Sequence, residues 1–134
     1  MALSEKQLTD LEWEVMNHIW NSGKQVSVRR IIDKHYASGE KAYTTIQTVM
    51  NTLAEKGFLR KEKIGMVNFY TPKRKREKVV TKEMNYFIQK VFRGSMPQFV
   101  KYFIGEEPLS EQEIAELKAI IVEKEEAVKG DHND

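Results

Sequence analysis

From Ala42 to Thr71 the hydrophobic pattern changes its period at a single glycine, and few folds accommodate that change. Ile46, Val49, Met50 and Leu53 recur at the spacing of one buried helical face, which predicts a helix from Thr44 to Lys56. Gly57 is placed to cap it. Beyond the glycine, the run Phe58 to Lys63, the turn Ile64-Gly65-Met66 and the run Val67 to Thr71 read as a basic two-stranded hairpin. The polar side of the helix carries Thr44, Thr45, Gln47, Thr48, Asn51 and Thr52. A default solvated face would carry Glu and Lys, which are better helix formers. Thr, Gln and Asn form helices less well but reach phosphates and base edges, so this face implies contact with nucleic acid.

The order of the flanking elements extends the argument. Leu8, Leu11, Val15, Ile19 and Trp20 mark a first amphipathic helix, opened by the capping box Thr9-x-x-Glu12 and stopped by Asn21-Ser22-Gly23. Gln25-Val26 is long enough only for a short strand. Ser27 can cap a second helix with Val28, Ile31, Ile32 and Tyr36, and Ser38 to Lys41 is a turn. Helix, short strand, helix, turn, helix and hairpin is the order of a winged helix-turn-helix, in which the short strand joins the hairpin as a three-stranded sheet. Pro72 ends the second wing strand. The run Lys73 to Lys78 is read as a basic junction that either contacts phosphate or is a solvated linker.

After the junction the composition shifts. Val80, Met84, Phe87, Ile88 and Val91 form one helical stripe ending at Gly94. Met96, Phe99, Val100, Phe103 and Ile104 form a second, closed by Gly105 and Pro108. Ser110-x-x-Glu113 opens a third, with Ile114, Leu117, Ile121 and Val128 on one side. About fifty residues rarely bury such faces alone, so a symmetric dimer is the economical expectation. The fold class expected is mostly α with a small β wing. The expected divisions are a winged helix-turn-helix over 1–72, a junction over 73–78, a helical dimerisation domain over 79–128 and a flexible tail over 129–134.

A net charge of +2 conceals an asymmetry. Residues 1–78 hold 15 Lys and Arg against 9 Asp and Glu, net +6, and residues 79–134 hold 7 against 11, net −4. The basic front suits a polyanion and the acidic back a different task. No cysteine is present, which excludes disulfides and thiolate metal sites. Neither a signal-peptide pattern nor a run of membrane-span length appears, and a cytoplasmic protein is expected.

The residues expected to read base edges and nearby phosphates are Thr44, Thr45, Gln47 and Thr48, with Thr52 reaching backbone. Arg60, Lys61 and Lys63 on the wing are expected on phosphates. Tyr43 either stacks on the sugar-phosphate or packs on the second helix. Trp13 and Trp20 read as core. His18, His35 and His132 are far apart in sequence and lack a ligand motif, so neither a metal nor a cofactor is expected. No zinc-protease, nucleophile-elbow, phosphate-loop or dinucleotide motif occurs, and the Glu-rich C-terminal face reads as solvated helix surface. The chain is not expected to be an enzyme.

The stretch from Leu8 through Trp13-Glu14-Val15-Met16 to Ile19-Trp20 resembles the opening of the BlaI/MecI/CopY family of penicillinase, methicillin-resistance and copper-transport repressors. So do Thr44 through Leu53, Lys56-Gly57-Phe58-Leu59 and Phe69-Tyr70-Thr71-Pro72. Phe87-x-x-x-Val91-Phe92-x-Gly94-Ser95 and Leu109-Ser110-x-x-Glu113-Ile114-x-x-Leu117 extend the resemblance past the junction. It implies a homodimeric winged-helix repressor on a short inverted repeat, with helix contacts at Thr44, Thr45, Gln47, Thr48 and Thr52. Penicillinase-type members tend to carry Lys or Arg where this chain has Thr44, Gln47 and Thr52, which implies a different operator preference. The Cys-x-Cys pair of copper-responsive members is absent, ruling out thiolate copper sensing. Where penicillinase-type members have a cleavable Asn-Phe bond this chain reads Tyr102-Phe103, which is the candidate cleavage site.

The expectation is thus a repressor that binds a palindromic double-stranded operator as a homodimer and blocks the promoter. Its dimer contacts are Met84, Phe87, Val91, Phe99, Phe103, Ile114, Leu117 and Ile121, and a regulatory protease or small-molecule inducer is a further partner. The alternative is a winged-helix protein–protein module that does not bind DNA.

Overall fold

The structure, a computed structural model, describes residues 7–132, except for the side chain of His132. Helix α1 spans Asp10–Ser22 and opens on the expected box: the Thr9 hydroxyl accepts from the Glu12 N–H at 3.2 Å, and the Thr9 N–H donates to Glu12 Oε1 at 2.8 Å. Helix α2, Val28–His35, starts on Ser27, whose hydroxyl accepts from the Arg30 N–H. Helix α3 spans Tyr43–Glu55. The chain then turns through Gly57 at φ 87°, a left-handed position that a side chain would strain. Strands β1, Leu59–Ile64, and β2, Val67–Pro72, pair antiparallel without a bulge, from Leu59↔Pro72 to Ile64↔Val67. Their two-residue turn has Gly65 at φ 64° in its first central position.

The short strand at Val26 survives only as a bridge. Its N–H donates to the Tyr70 carbonyl at 3.0 Å, and the Tyr70 N–H returns a bond to Val26 at 2.8 Å. The core is what the sequence periods dictate. Val15, Met16 and Ile19 from α1, Ile31 from α2, and Ile46, Met50 and Leu53 from α3 meet Val26, Leu59 and Tyr70, all essentially inaccessible. Trp13 and Trp20 pack half-buried against this cluster, their rings 6.1 Å apart.

Among the described residues Glu12 is the one charged residue inside, at 4% exposure. Besides the cap, its Oε1 takes a 2.7 Å ion pair from Lys56 Nζ, which also reaches the Gln7 carbonyl at 3.3 Å. The sequence marked Glu12 as a cap but gave no sign of this pair, because Lys56 lies across the fold at the end of α3.

Helix α4 spans Arg76–Phe92, α5 Met96–Glu106 and α6 Glu111–His132. Contacts divide the chain into two compact units between Phe87 and Ile88, inside α4. Three sequence expectations change here. The basic run is not a free linker, because Arg76, Glu77 and Lys78 form the first turn of α4 and Val79 joins the core. Lys73 donates its N–H to the Phe58 carbonyl at 2.9 Å, and the Trp20 indole donates to the Arg74 carbonyl at 2.9 Å. Gly105 does not close α5, which runs on to Glu106. Lastly, α6 continues through Lys129, Gly130 and Asp131 to His132 where a frayed tail is expected, while Asn133 and Asp134 lie outside the described residues.

Taken by itself, the second unit has little interior. Among its described residues only Ile88 is buried. Phe92 meets Phe99 edge-on at 5.6 Å, and Phe99 stacks on Phe103 at 6.1 Å. Ser95 caps α5 and Ser110 caps α6 through their hydroxyls.

Candidate nucleic-acid interface

One side of α3 is committed to the core through Ile46, Met50 and Leu53, each 0% exposed. Helical geometry therefore turns Thr44, Thr45, Gln47 and Thr48 to solvent, where all four are exposed. Thr52 is half-buried, one turn further along. The face thus presents hydroxyls and an amide and no acid. Asn51 has a different task, because its Oδ1 accepts a 2.6 Å bond from the Tyr70 hydroxyl and so ties the wing to α3. Burial raises the Tyr70 pKa, with the neighbouring Tyr43 hydroxyl as a smaller cause, so the phenol stays protonated and keeps donating.

The start of α3 also differs from the other capped helices. Ala42 occupies its N-cap and no side chain bonds the first-turn amides, and that turn holds no acid. Free N–H groups at a positive helix end suit an anion such as a phosphate.

Tyr43 is 38% exposed, and the Arg29 guanidinium of α2 sits 4.8 Å above its ring. Of the two alternatives read from the sequence, the structure shows the packing: the ring meets an α2 side chain and stays partly exposed. Stacking on Tyr43 places a cation beside the first turn of α3. Sequence reading passed over Arg29. The signal was there in Arg29-Arg30 directly after the Ser27 cap, but nothing in the chain order linked it to Tyr43. The exposed Arg29–Asp33 pair at 3.8 Å binds the side chain only weakly.

The wing separates cations that the sequence grouped. Pleating puts Leu59, Lys61 and Lys63 on one ribbon face and Arg60 and Glu62 on the other. Lys61 pairs with Tyr70 and Lys63 with Asn68, on the face from which Tyr70 reaches α3. Arg60 pairs with Thr71 on the opposite face. All three are exposed, but only Lys61 and Lys63 share a side with the link to α3. At the tip, Met66 stands 90% exposed between half-exposed Ile64 and Val67.

His18 of α1 and His35 of α2 stack with centroids 3.6 Å apart, with Tyr36 edge-on to His18. Distance in sequence hid that pairing. Among the described residues no group of three or more His, Cys, Asp or Glu could hold a metal, and no helix is long and apolar enough to cross a membrane.

The residues expected in a dimer contact spread over α4, α5 and α6. Met84, Phe87, Val91, Phe103, Ile114 and Ile121 are at least 40% exposed, whereas Phe99 and Leu117 are half-buried. Tyr102 and Phe103, the candidate cleavage pair, are 65% and 52% exposed but sit inside α5.

Comparison with known proteins agrees with this geometry. The model of the penicillinase repressor family matches residues 8–123. The methicillin resistance regulatory protein MecI of Staphylococcus aureus (strain N315) is 32% identical over 118 residues, covering 88% of this chain and 95% of that protein. A penicillinase repressor of Staphylococcus aureus is 31% identical over 121 residues, covering 90% and 95%. That of Bacillus licheniformis is 30% identical over 117 residues, covering 87% and 91%. A mostly helical winged fold and near full-length similarity lead to one conclusion: the chain belongs to the penicillinase repressor family, whose members are DNA-binding transcriptional repressors and not enzymes.

Proposed function

We propose that this repressor binds an inverted-repeat operator in double-stranded DNA as a homodimer and blocks the promoter it overlaps. The observation that carries the reading is the outer face of α3, where Thr44, Thr45, Gln47 and Thr48 stand exposed opposite a fully buried apolar face. In the major groove Gln47 can bond adenine bidentately and the Thr methyls can pack on thymine. The open amides at the start of α3, with Arg29 and Tyr43 beside them, take phosphate. Thr52, Lys61 and Lys63 add backbone contacts, and Arg60 contributes less because it stands on the other ribbon face. Since α3 itself bears no Lys or Arg before Lys56, specificity rests on hydrogen bonding, and much of the affinity rests on surrounding cations that salt screens.

Dimerisation supplies the second half-site. The apolar residues of α4, α5 and α6 left open to solvent are what a symmetric partner would cover. Two copies of α3 one helical turn apart, about 34 Å, would then enter successive major grooves. Disrupting the dimer removes the gain from joined half-sites, which is the route by which a protease or a ligand would induce transcription. Cleavage at Tyr102–Phe103 would require α5 to unwind locally, since both residues are helical.

Selecting bound sequences from a random duplex pool at near-physiological salt tests the reading. An enriched inverted repeat, with half-sites about ten base pairs apart centre to centre, is the expected result. Recovery of no motif, with binding that salt abolishes for every sequence alike, would leave a protein-binding winged helix as the better description.

A further inference from the structure

A concave site distinct from the α3 face lies where the base of the wing meets α4, within the first unit. It encloses about 530 Å³, in the range of small-molecule pockets. Among the described residues five cations line it: Lys73, Arg74, Lys75, Lys78 and Lys82. Its floor is apolar, from Phe58 and Val79, both nearly inaccessible, with Tyr86 alongside. The wall is built rather than incidental. Lys78, Val79, Lys82, Glu83 and Tyr86 follow the i, i+4 and i+7 rows of one face of α4. Arg74 is fixed at both ends, its carbonyl by the Trp20 indole and its guanidinium 4.7 Å over the Phe58 ring.

Among the described residues none of the five cations forms an ion pair. Glu83 is the sole acid among the described residues of the lining, and its Oε1 already accepts the Leu8 N–H at 3.1 Å. A duplex backbone could use surface lysines, but it has no apolar body to place on Phe58 and Val79. Cations around an apolar floor match a ligand with an anionic head and an apolar body.

We propose that this pocket is the binding site of a small amphipathic anion, a carboxylate or phosphate carried on an aromatic or acyl body, which acts as an effector of the repressor. The head engages Lys75, Lys78 and Lys82, and the body lies in the cleft between the Arg74 guanidinium, which covers Phe58, and Tyr86. Resting on the operator reading above, the regulatory consequence is direct. Lys73, Lys75 and Lys78 belong to the basic run beside the wing, and a bound anion neutralises the cations there that would otherwise hold DNA phosphates. Occupancy lowers operator affinity.

Calorimetric titration of the full chain without DNA tests the site, using naphthoate, naphthyl phosphate, neutral naphthylmethanol and inorganic phosphate as probes. The expected result is one saturable site per chain that binds at least one naphthyl anion about tenfold more tightly than the neutral alcohol. The better of the two anions identifies the head group. Lys78→Gln with Lys82→Gln should weaken that anion about tenfold without altering the melting temperature, because both lysines are exposed. Lys118→Gln on α6 should change nothing. Absence of saturable binding, equal affinity for the alcohol, or an unaffected double variant would overturn the site. Inorganic phosphate binding as tightly as naphthyl phosphate would overturn the apolar half of the assignment. A probe that binds but leaves the affinity for a selected operator unchanged would remove the effector role. If the chain binds the anion but selects no operator, the DNA reading fails while the pocket stands.

Discussion

The two units of this chain solve the burial problem in opposite ways. Up to Phe87, the apolar stripes of three helices close on one another and on the wing, and one charged residue, Glu12, is admitted with its partner Lys56. From Ile88 onward, helices of comparable apolar content leave nearly every large side chain at least partly open. A unit that finishes its core alone is a reader that can be used once. On the proposed dimeric reading, a second copy covering the open unit would make reading bivalent, and losing that copy would reverse it. The difference teaches that the apolar surface left for a proposed second copy lies in the half with the unfinished interior, while the proposed effector pocket lies in the finished one.

The comparison breaks most visibly if charges are placed in the open unit. Phe103→Asp or Leu117→Asp should give monomers by sedimentation and lower operator affinity by about a hundredfold, the scale on which linked half-sites gain over single ones. The wing and α3 should keep their fold by circular dichroism and amide exchange. A dimer that survives both changes would refute the proposed dimer surface.

The closed unit should respond through stability instead. Met50→Ala removes a side chain with 0% exposure from the α3 face and should cost about 2–5 kcal/mol in denaturant unfolding. Lys56→Met leaves the Glu12 carboxylate buried without its cation and should cost about 3 kcal/mol. In neither case should the loss depend on protein concentration, because the core of the first unit closes within one chain. Concentration dependence would mean that the first unit also relies on a partner.

Within the reader, single substitutions sharpen the division between base and phosphate contacts. Gln47→Ala should cost about 1–3 kcal/mol on the selected operator and relax preference at one base pair, with little effect on random DNA. Lys61→Ala should weaken both kinds of DNA alike and reduce the salt slope by about one. Arg60→Ala should do less than Lys61→Ala, because pleating sets it on the opposite ribbon face. Competition binding at two salt concentrations checks all three. Equal losses for Gln47→Ala on operator and random DNA would remove its base-reading role.

How far the sequence could be read follows from the range of each interaction. Helices α1 to α3 and the hairpin were legible because period, caps and Gly57 act over a few residues, and the exposed threonines of α3 followed from that period. What stayed hidden was long-range. Val79 enters the core beside the equally apolar Val80, and no local rule chooses between neighbours on a helix. The salt bridge from Lys56 to Glu12 and the cation of Arg29 over Tyr43 join residues that only the fold brings together. The wing cations show the converse, since alternation along β1 already separates Arg60 from Lys61 and Lys63. Strand period was sufficient there, and grouping by charge obscured it.

The smallest expected effect concerns the stacked histidines, which belong to the closed unit alone. Burial lowers the pKa of His18, with Glu14 opposing, and burial, His18 and Lys34 lower that of His35. In the unfolded chain both rings titrate near the ordinary value of about 6.5 and so take up protons before the folded rings do. The unfolded state then binds more protons, and stability falls as pH drops through that value until the folded rings also protonate. Protonation places two positive rings 3.6 Å apart at the α1–α2 contact, so that contact is what acid loosens. Comparing urea unfolding at about pH 7.5 and pH 5.5, the native chain should lose more stability than a His35→Gln variant. Both partly exposed rings are screened, so the difference should be modest. Identical losses in the two proteins would show that the stacked histidines are not the source of the acid sensitivity.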